Sequence, residues 1–368
     1  MSAKLSPPKL PHQNLAFPLL PVCVDTPPET DQFVPFTICI CENCGVITLL
    51  DVVDPAVLYQ IFHSDGIGGV WDEHYERFAA LIRRHHRGGR VVEVGAGQGK
   101  LIKKLLPHYA AGIEVIDPQY EGPREGVIVH DQLSSVQLAK RMEGQFDSFV
   151  SSHTLEHFIE FDEYFTSAWT CLKEGGLLFT SVPNQEAGFA KGYGNMLNFE
   201  HPSVCTNLHW IYLHYKNGFV IKEISLFRGH SIMLVAQKVA DPVPFALDMG
   251  SLALQLLEQY TQNITARIEK VRALAKPDKP NWLFGASNFS QPLFVYGLET
   301  ELFAGVLDNS PLKHNKRLYG TPLICRKPAE ILGQGGALRI FLNLGNYNDE
   351  VREQLVAMDG ADIECIAL

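Results

Sequence analysis

The sequence predicts an α/β protein organised around a doubly wound parallel sheet. Three observations carry that expectation. Residues 90–106, RVVEVGAGQGKLIKKLL, read as a short buried strand, a glycine turn and the first turns of an amphipathic helix. The strand is a near-continuous apolar run, the pattern of a sheet covered on both faces. Strand-like and helical segments then alternate as far as Asn184, which places a ligand across the carboxyl ends of the strands.

Composition bounds the rest. A chain of 368 residues is long enough for two or three domains, and 46% hydrophobic with 20% charged residues is the make-up of a globular protein with a sizeable core. The formal net charge of -10 argues against a nucleic-acid surface, which needs a basic stripe. The basic run Arg83 to Arg87 reads as a solvated helix end. No apolar run reaches the roughly 18 residues of a membrane span. Leu15 to Val24 carries Pro18 and Pro21 and no small-residue cleavage site, so no signal peptide is expected. The cysteines are scattered rather than framed, which points to a reducing, cytoplasmic compartment.

Taken in order, the first 50 or so residues are proline-rich and read as irregular, ending in FTICICENCGVITLL. Cys41-Glu-Asn-Cys44-Gly45 there has the shape of half a zinc ribbon; Cys41 and Cys44 either hold zinc with irregular partners or form a knuckle without metal. Asp54 to Gly88 is expected to be helical, with Tyr75, Phe78, Ala79 and Ile82 on its apolar face. Gly66 to Gly69 before it is a candidate lid or a plain turn. In the Glu93 to Gly99 segment, Gly95, Gly97 and Gly99 allow a sharp turn and close approach to a ligand, with Ala96 between the first two. Leu101, Ile102, Leu105 and Leu106 form the stripe of the following helix.

Ala110 to Pro118 gives a second strand ending in acid, where a carboxylate accepts both hydroxyls of a ribose about 20 residues beyond the glycines. Glu114 lies inside that strand and Asp117 at its end before a proline, so Asp117 is the better candidate. Gly126 to Asp131 is a third strand, with Asp131 placed to meet an adenine amino group or simply a surface acid. Phe146 to His157 is the fourth strand and its loop, and Leu172 to Asn184 a turn and fifth strand. Val239 to Ala275 reads as a long helix with Leu252, Leu256, Tyr260, Ile264 and Ile268 on one stripe. Lys276-Pro-Asp-Lys-Pro280 ends it and marks a boundary.

Glu93 to Gly99, Val115 to Pro118, His153-Thr-Leu-Glu-His157 and Leu172 to Leu177 follow in the order and spacing of the class I S-adenosylmethionine (SAM) methyltransferases, which the chain resembles. Cys41 to Gly45 followed by an Asp-Pro helix start narrows the resemblance to the sugar C-methyltransferases, which act on nucleotide-linked keto-deoxysugars. Trp282-Leu-Phe-Gly285-Ala286, Asp308 to Pro311, Gly320 to Pro322 and Leu342 to Glu350 are similar to that family's second, Rossmann-like domain. The resemblance departs in three places. The family's first zinc knuckle has no counterpart, its Y-H-E-H motif is Asn198-Phe199-Glu200-His201 here, and its lysine after the C-terminal glycine turn is missing.

The resemblance implies four regions: residues 1–54 with the cysteine knuckle, a SAM-binding domain over 55–238, a bridging helix and linker over 239–280, and a smaller α/β domain over 281–368. SAM is the expected cofactor, held by Glu93, Gly95, Ala96, Gly97, Gly99, Asp117, Asp131 and His153, with zinc doubtful. Carbon methylation beside a ketone requires a base that removes a C–H proton, and an imidazole titrates in the right range. His201 is the expected base, with Glu200 orienting it, unless Glu200-His201-Pro202 only shapes a loop. Tyr193, Asn198, His157 and His230 are candidate contacts to the sugar nucleotide, although His230 is better suited to holding its turn. A monomer or homodimer working without nucleic acid or membrane is expected. Rival readings are O- or N-methylation of a related small molecule, a non-catalytic SAM-binding scaffold, and an NAD-dependent enzyme, for which Lys100 sits badly.

Overall fold

The computed structural model describes residues 5–6, 14–58, 66, 68–109, 112–239, 250–358 and 362–368. The chain divides into two compact units, one of Phe62–Gln185 and His201–Asp248, the other of Met1–Ile61, Glu186–Glu200 and Met249–Leu368.

The first unit is built on seven strands: β1 (Val91–Val94), β2 (Ile113–Ile116), β3 (Val127–His130), β4 (Phe146–Ser152), β5 (Leu172–Pro183), β6 (Phe219–Phe227) and β7 (Ser231–Lys238). Their order in the sheet is β6-β7-β5-β4-β1-β2-β3. The five strands from β1 to β5 pair in parallel, as the alternation of strand and helix requires. β7 is antiparallel to both β5 and β6, because a tight turn at Phe227 to His230 folds the last two strands into a hairpin. All four residues of β1 are buried, as its apolar run demands.

Helix Gly69–His85 covers this sheet and buries Val70, His74, Phe78, Leu81 and Ile82 at helical spacing, together with Tyr75 and Ala79. Its basic end is exposed at Arg84 and Arg87; Arg84 and His85 both pair with Glu223, and His86 Nδ1 lies 2.7 Å from Ser148 Oγ. The proposed lid falls partly outside the described residues, at Ile67. The helix after the glycine turn runs Lys100–Leu105 and buries Leu101, Ile102 and Leu105.

The second unit has its own sheet of five parallel strands, in the order Cys325–Arg326, Gly305–Leu307, Asn281–Phe284, Ala337–Leu342, Asp362–Ala367. Trp282, Phe284, Leu307, Ile340 and Leu342 lie at its core. Helix Gly250–Leu274 buries Leu256, Tyr260, Ile264 and Ile268, as expected from its stripe; residues 240–249 of the expected helix lie outside the described residues. The N-terminal stretch differs from the irregular chain expected. Phe33–Cys41 pairs antiparallel with Asn14–Pro18 and with Ile47–Leu49, and Cys23–Val24 pairs with Arg317–Leu318. Pro18 closes the first of these strands and Pro21, Pro27 and Pro28 lie in the bends and 3-10 turn that follow, whereas Pro35 sits within Phe33–Cys41 opposite Ala16. Asp31 and Arg317 form a buried bidentate pair at 2.6 and 2.7 Å.

Among the described residues no helix is long and apolar enough to cross a membrane.

Candidate active site

The glycine turn is a left-handed excursion between β1 and its helix. Gly95, Gly97 and Gly99 have φ of +70°, +50° and +66°, a region that L side chains rarely occupy. A Cβ on Gly95 would lie 2.4 Å from Thr154 Oγ1, so the turn also packs closely on the loop after β4. Ladder bonds continue past the strand ends, from Gly95 N–H to Ile116 O and from Asp117 N–H to His130 O. These bonds bring the turn, Asp117 and the end of β3 side by side at the carboxyl edge of the sheet. Glu93 is buried in β1 and Asp131 is exposed just beyond β3.

Asp117 is held at the turn itself. Its carboxylate accepts from Gly97 N–H and from Gln119 N–H, both at 2.7 Å. A carboxylate offers about four acceptor sites, so two remain for the vicinal hydroxyls of a ribose. Glu114 is committed elsewhere: it pairs with Arg90 and lies 2.8 Å from His130 Nε2. The residues present therefore fit a bound nucleoside at the place the sequence indicated. Lys100 Nζ donates to Gly66 O at 2.6 Å and ties the entrance of helix Gly69–His85 to the turn.

A second group lies beyond β4. The loop makes a short 3-10 turn at Leu155–His157 that buries Glu156. His157 and His201 stack edge to face with ring centroids 4.8 Å apart, and ligand atoms of Glu156, His157 and His201 all lie within 4.8 Å of one another. Two histidines named from sequence are thus brought together, with a carboxylate that sequence reasoning gave no role.

His153 and His230 are not beside that pair but in a third cluster with His74. His153 adopts φ +51°, unusual for a non-glycine residue, and its Nε2 lies 2.9 Å from Ser231 Oγ. Burial depresses the imidazoles of His153 and His230 to about 3. His74 escaped the sequence reading because it sits on the apolar face of its helix among Tyr75 and Phe78. A histidine in the apolar stripe, one turn before Phe78, was the signal the sequence offered.

The remaining candidates belong to the other unit. Tyr193 Oη donates to Asn346 Oδ1 at 3.0 Å, and Asn198 Nδ2 to Asn195 O at 2.9 Å. Glu200 is buried. Phe199, standing where the resembled family has histidine, packs against Phe36 in the core, with ring centroids 5.0 Å apart. Cys41 and Cys44 flank the hairpin turn between two strands, closed by Gly45 N–H to Cys41 O. Among the described residues the groups able to hold a metal ion are histidine clusters, and neither contains Cys41 or Cys44.

Residues 68–239 match a family described as a methyltransferase domain. No curated protein matches the chain. Solved structures similar to it include a SAM-dependent methyltransferase from Mesorhizobium loti, at 14% identity over 45% of this chain and 100% of that one, with a TM-score of 0.37. Another is the 1,6-didemethyltoxoflavin-N1-methyltransferase of Burkholderia thailandensis, solved with 1,6-didemethyltoxoflavin and S-adenosylhomocysteine, at 18% identity over 46% and 81% of the two chains and a TM-score of 0.37. The CurJ carbon methyltransferase aligns at 14% identity over 45% and 54%, with a TM-score of 0.35. Residues 68–239, which carry the glycine turn and Asp117, are therefore similar to a methyltransferase domain.

Proposed function

We propose that the acceptor is a nucleotide-linked keto-sugar and that the methyl group is placed on a carbon beside the ketone. SAM supplies a methyl already activated on a cationic sulfur. What remains for the chain is to position the acceptor and to take one proton. His201 is the base, and the juxtaposition of His201 with His157 and buried Glu156 is the observation that carries this reading. A carboxylate near an imidazole stabilises the imidazolium formed on proton uptake. Glu156 supplies that charge within the same unit, and Glu200, the chain neighbour of His201, is the second candidate. Asp117 and the glycine turn bind the cofactor's nucleoside, with Glu93, Ala96 and Asp131 beside them. Tyr193 and Asn198 are assigned to the sugar.

The test is hydrogen–deuterium exchange at the carbon next to the ketone, followed in heavy water with S-adenosylhomocysteine bound. The wild-type chain should exchange that proton without methylating, and His201→Ala should slow both exchange and methyl transfer by roughly a hundred-fold or more. Its affinity for S-adenosylhomocysteine should stay unchanged. Exchange at the wild-type rate in His201→Ala removes the base assignment. If the product carries its new methyl on oxygen or nitrogen, the acceptor atom is wrong and the O- or N-methylation reading replaces this one.

A further inference from the structure

Three imidazoles converge on one serine hydroxyl in the methyltransferase unit. His74 comes from helix Gly69–His85, His153 from the residue after β4, and His230 from the turn between β6 and β7. Ser231 Oγ lies 3.2 Å from His74 Nδ1, 2.9 Å from His153 Nε2 and 2.5 Å from His230 Nδ1. The nearest ligand nitrogens of the three rings all fall within 4.8 Å of one another. A tetrahedral ion with bonds of about 2.0–2.1 Å needs ligand atoms about 3.3 Å apart, so on binding the ring nitrogens draw together and Ser231 Oγ draws back from His230 Nδ1.

The outer nitrogens of two of the rings are also occupied. His74 Nε2 lies 3.1 Å from Ser152 Oγ, and His153 Nδ1 faces Glu156 Oε1 at 3.4 Å. Ligating histidines are characteristically steadied this way, with the far ring nitrogen held by a carboxylate or hydroxyl. The Trp71 indole closes one side, its ring centroid 4.8 Å from His153 and 4.6 Å from His230. Arg228 pairs with Glu73, pinning the β6–β7 turn to the helix that carries His74. His153 keeps its left-handed backbone here, and such strain persists where the surroundings over-determine it.

We propose that His74, His153 and His230 bind one divalent transition-metal ion of zinc's kind, with Ser231 Oγ as the fourth donor. Imidazole nitrogens select such ions over magnesium or calcium, which prefer oxygen cages. Nothing in this assignment depends on the identity of the methyl acceptor.

The full-length chain, stripped with a chelator, should be equilibrated with zinc, freed of excess and measured by elemental analysis. About one zinc per chain is expected, with a rise in melting temperature. His74→Gln and His230→Gln should each fall below a tenth of that content while keeping the far-ultraviolet circular dichroism of the parent. A wild-type chain that retains less than a tenth of an equivalent overturns the proposal. It would leave a neutral hydrogen-bonded cluster closed around Ser231. Because either variant could fail to fold, cobalt(II) absorption of the wild-type chain gives an independent readout. Tetrahedral ligand-field bands without a sulfur-to-cobalt charge-transfer band are expected. A thiolate band would place the ion on cysteines and overturn the assignment.

Discussion

Glu114 and Asp117 stand three residues apart at the end of one strand, and their surroundings give them different roles. Glu114 is buried between Arg90 and His130, so it holds β1, β2 and β3 together. Asp117 hangs at the strand end, where it braces the glycine turn and keeps acceptor sites in reserve. Asp117→Ala should weaken S-adenosylhomocysteine binding at least ten-fold in a calorimetric titration. Glu114→Gln should leave that affinity intact and lower stability in urea by roughly 1–2 kcal/mol, Arg90 being half exposed. The opposite pattern would exchange the two roles. The position of Asp117 just past the strand end was legible in sequence, because the proline after it marks where the strand must stop. The closeness of Glu156 to His201 was not, because it carries no trace in the spacing of residues 156 and 201.

Helices and strands were legible where their apolar pattern was local. The strands β1 to β5 and the stripe of helix Gly250–Leu274 fall where periodicity puts them. The antiparallel hairpin β6–β7 was not read, because Ile232 to Ala236 is an unbroken apolar run that periodicity alone does not orient. Helix Asn207–Lys216 adds a further property. Its His214 is fully buried, with Nδ1 2.7 Å from Trp210 O and Nε2 3.3 Å from Thr180 Oγ1. Burial lowers its imidazole from 6.5 to about 4, outweighing the Trp210 carbonyl. Between those values the unfolded chain binds the proton and the folded one does not. Stability from this group is therefore complete above about pH 6.5 and is lost as pH falls toward 4, by on the order of 3 kcal/mol. His214→Gln should flatten the fall in melting temperature between pH 7 and pH 5. An unchanged slope would show that His214 does not titrate there.

At the scale of the molecule, chain ends far apart in sequence are folded into one unit. Asp31 and Arg317 are 286 positions apart, yet they form a buried bidentate pair. Pairing over such a distance leaves no local signal, so composition could show proline-rich chain near the start but not the strands it forms. Asp31→Ala should cost about 3–5 kcal/mol, because it strands a buried guanidinium. Chemical denaturation measures this, and a loss below 1 kcal/mol would mean that water or another group takes over the arginine. The same joint also occurs twice in this chain. In the second sheet Asp308 follows the second strand and accepts from Ala286 N–H at 3.0 Å and Ser310 N–H at 2.9 Å, much as Asp117 does with Gly97 and Gln119. There, however, its carboxylate is taken by Lys313 at 2.8 Å, and the turn opposite has a single glycine. For genome annotation, an acid after the second strand is joinery common to such sheets. Only together with a glycine-rich turn and a carboxylate not taken by a lysine does it become a signature of nucleotide chemistry.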